Sequence, residues 1–154
     1  MKKNIFVSHH HLDSSKIKPL IDLIEKKDQM EIRDSSISEK TDPNNAHNEE
    51  YIKSLIRPKI DWAGTVIFLI GEKTAMSEWV DWELEYAIRH EKRIIGVYLP
   101  GCTDEEIPTG LLDHADQMCT WRSDKINRAL EGESVFDKIS DNTFGAGITR
   151  EECN

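Results

Sequence analysis

The 154-residue chain has the length of one ordinary domain, and with 38% hydrophobic and 32% charged residues it can bury a core without disulfides or metal. Acidic residues outnumber basic ones 29 to 20, a net charge of -9, so nucleic-acid backbones and anionic membrane surfaces are disfavoured partners. The odd set Cys102, Cys119 and Cys153 contains no CxxC pair and suits a reducing cytoplasm, and the longest apolar run, Thr65 to Ile70, is far too short to span a bilayer.

Asn4 to Ser8 (NIFVS) is short and apolar and gives way at once to polar residues, which predicts a buried parallel strand. Asp13 to Lys27 places Ile17, Leu20, Ile21 and Ile24 at helical spacing, with Asp13, Ser14 or Ser15 as the N-cap. Gln29 to Arg33 reads as a weaker second strand, followed by a long polar loop from Asp34 to Asn48. The helical period resumes from Glu49 to Ala63, where Pro58 is expected to kink or shorten it. Thr65 to Ile70 (TVIFLI) is a central strand, Ser77 to His90 a helix capped by Ser77, and Arg93 to Leu99 a strand stopped by Pro100 and Gly101. Gln117 to Trp121 and Asp124 to Glu131 complete the pattern as a last strand and helix. Periodicity fades from Gly132, which divides the chain into a domain of residues 1–131 and a C-terminal tail, 132–154, that can dock on it.

Alternating strands and helices imply right-handed crossovers and a parallel sheet covered on both faces, a three-layer α/β architecture. Ligands of such sheets bind beyond the carboxyl ends of the strands, here the loops after Ser8, Arg33, Ile70 and Leu99. The turn SHHHLDSS after the first strand lacks the GxGxxG of a dinucleotide fold, and no GxxxxGK[ST] is present. Ile70 and Gly71 stand where a phosphoacceptor receiver needs an Asp. The triplet His9, His10, His11 has no second Cys or His pair at ligand spacing, so no metal is expected.

The stretch Ser77 to Leu84, SEWVDWEL, sets Trp79 and Glu83 four residues apart on one helix face, an aromatic side chain beside a carboxylate. It resembles the SxWCxxEL pattern of the TIR family, with Val80 in place of the Cys. NIFVSHHHLD resembles the TIR opening strand, with a His triplet in its turn. RDSSI (Arg33 to Ile37) and the run from Asn45 to Lys53 resemble the TIR-like proteins of Thoeris antiphage defence. The resemblance spans about residues 4 to 121. It implies a flavodoxin-like fold with five parallel strands in the order 2-1-3-4-5. It also implies NAD as substrate rather than cofactor, with Glu83 as the catalytic carboxylate of a hydrolase or ADP-ribosyl cyclase.

A carboxylate beside the ribose stabilises the cationic sugar left when nicotinamide departs. On the same resemblance Phe6, Ser8, His9, His10 and Trp79 would line the nicotinamide and ribose pocket, while Ser35, Ser36 and Asn45 would bond phosphate or ribose. The product, a linear or cyclic ADP-ribose, would act as a second messenger on a separate effector, and the enzyme would work as a homo-oligomer. Two other readings stand beside this one. A TIR fold can serve as a non-catalytic adaptor through homotypic contacts, and a nucleoside deoxyribosyltransferase also sets a carboxylate next to a ribose.

Overall fold

The computed structural model describes residues 3–24, 30–35 and 49–138, the side chain of Asp104 excepted. Five strands, β1 (Lys3–Ser8), β2 (Met30–Asp34), β3 (Thr65–Ile70), β4 (Arg93–Tyr98) and β5 (Gln117–Cys119), form one parallel sheet in the order β2-β1-β3-β4-β5. The helices are α1 (Ile17–Leu23), α2 (Glu49–Trp62), α3 (Glu78–Arg89), α4 (Leu111–His114) and α5 (Ser123–Leu130). This is the flavodoxin-like order that the resemblance implied. No helix among the described residues is long and apolar enough to cross a membrane.

Strand alternation assigns the core. Phe6 of β1 and Val66, Phe68 and Ile70 of β3 point to one side, where they meet Ile52, Ile56 and Ile60 of α2 and Val80, Leu84 and Ala87 of α3. Ile5, Val7, Ile67 and Leu69 point to the other, against Ile17 and Leu20 of α1 and Ile126 and Leu130 of α5. All six residues of β3 are buried, as its unbroken apolar run requires of a strand covered on both faces. Each large aliphatic or aromatic side chain so buried contributes about 1.5–3 kcal/mol.

Two expectations about the first helix are corrected. The helix predicted from Asp13 begins instead as a 3₁₀ segment, His11–Lys16, and becomes α-helical only at Ile17. Pro19 accounts for this, because a proline fits the first turn of an α-helix but clashes with the carbonyl four residues back if the helix starts earlier. The cap is His10, whose ring Nδ1 accepts from the Leu12 N–H at 3.1 Å, not Asp13, Ser14 or Ser15. Pro58 does not end α2, which runs on to Trp62; both Pro58 and Ser54, whose carbonyl it leaves without its helical donor, are exposed, so water can serve that carbonyl. The short α4 was not foreseen.

After α5, Gly132 takes a φ of 94°, the left-handed conformation that commonly ends helices. The chain then returns along β5, where the Met118 N–H donates to the Val135 carbonyl and the Asp137 N–H to the Met118 carbonyl.

Candidate active site

Ser8 ends β1 with the parity of Phe6, so its side chain faces α3. There its hydroxyl donates to Glu83 Oε1 at 2.6 Å, and both residues are 0% exposed. A buried carboxylate without partners is costly, and a short hydroxyl-to-carboxylate bond is among the stronger neutral-to-charged contacts.

The approach to α3 is equally determined. Thr74 Oγ1 accepts from the Gly71 N–H at 2.7 Å and donates to the Leu69 carbonyl at 3.2 Å, closing the turn after β3. Ser77 then caps α3 by accepting from the Val80 N–H at 3.2 Å, as expected for a Ser at that position. The cap fixes where the helix starts and so the angular position of Trp79 and Glu83, one turn apart.

His9 has the opposite parity and does not face α3. It is buried, with Nδ1 3.0 Å from Ser35 Oγ and Nε2 3.3 Å from Ser14 Oγ, and its N–H donates to Ser35 Oγ at 3.3 Å. It thereby joins the end of β1 to the residue after β2 and to the 3₁₀ turn. In that turn Asp13 packs against Gly71, where an added Cβ would lie 2.5 Å from Asp13 Oδ2. Burial pushes the Asp13 carboxyl above its ordinary range, and the nearby His10 and Lys16 offset this only in part.

A cavity of about 310 Å³ opens at the start of α3, and neither Ser8 nor Glu83 is among its walls. Its walls are His10 and His11 from the β1 turn, Glu49 and Lys53 from α2, and Met76, Ser77, Glu78, Trp79 and Trp82 from the start of α3. The rings of Trp79 and Trp82 meet edge to face at 6.3 Å, and Lys53 Nζ lies 5.5 Å from the Trp82 ring centre. Two indoles with the carboxylates of Glu49 and Glu78 suit a flat cationic group, while Lys53 is suited to an anionic one. The cavity is bordered by neighbours of the buried pair on both sides: His10 stands two residues beyond Ser8, and Trp79 one helical turn before Glu83.

Of the candidate residues read from the sequence, His10 and Trp79 line the cavity. Ser8 and Glu83 form the buried pair, and His9 and Ser35 bond each other on the opposite face of the strand. Phe6 is fully buried among the α2 and α3 side chains, in the core and not on the cavity wall. Ser36 and Asn45 lie outside the described residues. Trp82, Lys53, Glu49, Glu78 and Met76 line the cavity as well and are not among those candidates. Trp82 was detectable, since it follows Trp79 by three residues and so shares its face; Lys53 depends on how α2 packs beside α3, which local spacing does not encode. Among the described residues no three His, Cys, Asp or Glu side chains are grouped so as to hold a metal ion.

A family model described as Thoeris protein ThsB, TIR-like domain, matches residues 6–104. That span runs from β1 through α3 and β4 and contains Ser8, Glu83 and the whole cavity wall. A search of curated proteins found no match.

Proposed function

The chain belongs to the TIR-like domain family of Thoeris protein ThsB, which ties it to Thoeris defence, and from that premise we propose that it cleaves the nicotinamide–ribose bond of NAD. The observation that carries the reading is the placement of Glu83: a buried carboxylate held by Ser8, on the same helix face as the cavity-lining Trp79.

The chemistry needs little acid assistance. The bond between ribose C1′ and the pyridinium nitrogen breaks with its electron pair passing to nitrogen, so nicotinamide leaves neutral and the sugar becomes an oxocarbenium ion. In this reading the Glu83 carboxylate stabilises the new positive charge more than it stabilises the ground state. Attack of water at C1′, with loss of one proton, gives ADP-ribose. Attack by a nucleophilic atom of the same molecule gives a cyclic product, which a cavity that excludes water favours by proximity. The cavity is at the small end of the ordinary range of ligand pockets, about 300–1,000 Å³, and suits the nicotinamide-riboside half of NAD. Trp79 offers an aromatic side chain to the pyridinium ring, and Lys53, over the Trp82 ring, offers a charge to the pyrophosphate. In this reading the product is the signal that a separate effector detects.

The test is mass spectrometry of concentrated wild-type and Glu83→Gln protein incubated with NAD, following nicotinamide and ribosyl products. Wild type should release nicotinamide and Glu83→Gln should not, with both variants equally folded. Equal inactivity, persisting at high protein concentration and with infected-cell extract added, would overturn the reaction in favour of an adaptor role.

A further inference from the structure

We propose that Ser8 is a positioning residue for Glu83, fixing its carboxylate from the sheet, and is not a contact for substrate; this rests on Glu83 being the carboxylate that acts on the ribose. Neither Ser8 nor Glu83 is among the residues that wall the cavity and both are 0% exposed, so burial does not tell the two apart; the role of Ser8 follows from the bond it donates. What Ser8 does touch is Glu83 Oε1, at 2.6 Å, within the range of hydroxyl-to-carboxylate bonds.

The two partners stand on different elements. Glu83 rides on α3 at the end of a side chain with several rotatable bonds. Ser8 has a single rotor on a strand whose backbone is held on both sides, pairing with β2 and with β3, where Ser8 lies opposite the buried Phe68. The bond therefore refers the carboxylate to the sheet and not only to its own helix. Tying Oε1 restricts the positions the carboxylate can take. A misplacement of about 1 Å at a reacting centre costs on the order of 100-fold in rate.

The experiment compares wild type, Ser8→Ala and Ser8→Thr for nicotinamide release, alongside a double-mutant cycle in urea unfolding with Ser8→Ala and Glu83→Met. Ser8→Ala should lower kcat by roughly 10- to 100-fold with KM held. Ser8→Thr, which restores the hydroxyl, should recover most of that loss, and the cycle should be non-additive. Unchanged kcat in Ser8→Ala overturns the proposal. So does a rise in KM at constant kcat, which would return Ser8 to substrate binding, and so does an additive cycle. Should wild type release no nicotinamide, the cycle still decides the clamp: non-additivity keeps the Ser8–Glu83 link and removes only the NAD reaction, whereas additivity removes both.

Discussion

Asp137→Ala should lower the free energy of unfolding by about 3–5 kcal/mol. The carboxylate accepts from the Thr120 N–H and from Thr120 Oγ1, both at 3.0 Å and both buried. Bonds to a charged acceptor contribute about 1.5–3 kcal/mol each, and the alanine would leave the buried Thr120 N–H without its present acceptor. The ion pair with Lys125 at 3.3 Å is partly exposed and adds about 0–1 kcal/mol. Main-chain bonds at Asp137, its N–H to Met118 and its carbonyl from Tyr98 Oη at 3.2 Å, survive the substitution, so the segment stays tethered while its charge anchor goes. At this chain length the loss corresponds to a drop in Tm on the order of 10 °C. The assay is urea unfolding of both proteins followed by tryptophan fluorescence. A lower midpoint with an unchanged slope is expected, and a reduced slope would mean that Val135 is already released in the native state. A loss below about 1 kcal/mol, the range of an ordinary surface change, would refute the argument that Asp137 anchors the chain to β5.

Two further outcomes follow from titratable groups that burial shifts, the partly buried Asp13 and the fully buried Cys119. Folded Asp13, with its carboxyl raised by burial, binds a proton more tightly than unfolded Asp13, so its penalty is absent below the ordinary Asp range and grows as pH rises through the raised value. Asp13→Asn should therefore be more stable than wild type at neutral pH, with the gap closing on acidification; urea midpoints measured across pH would contradict this if the gap stayed constant. Burial, with the nearby Asp137 charge, pushes the Cys119 thiol up to about 12. The peptide carrying Cys119 should stay unmodified when native protein is treated with iodoacetamide at mildly alkaline pH and be labelled in denaturant. Comparable labelling in both states would show that the β5 region opens readily.

The parts of the fold written in local pattern were legible. The β3 run and the Ser77 cap lie where spacing put them, because a covered central strand needs continuous apolar residues and an N-cap needs an oxygen acceptor. The first helix was misjudged because Pro19, inside the apolar period, sets where an α-helix can begin. His10, a candidate ligand residue by its place after β1, acts also as a cap, a use of imidazole that composition does not announce. At the site, Trp79 and Glu83 were readable from one spacing on one helix. Strand parity alone could have separated Phe6 and Ser8 from Ser8's neighbour His9, since alternate residues of β1 face different layers; it could not tell which layer carried α3. That Ser8 would meet Glu83, 75 residues away, depends on how α3 packs across the sheet.

The returning segment at residues 135–137 also bears on how copies of this protein can meet. Both main-chain groups of Met118 are already engaged by Val135 and Asp137, so the β5 side of the sheet offers another chain no ready template there. The opposite edge, β2, is five residues long and carries the Glu31–Arg33 ion pair at 3.0 Å, charges of the kind that discourage strand addition. If copies of this domain assemble, these two edges favour contacts between side chains on helices and loops over an extension of the sheet.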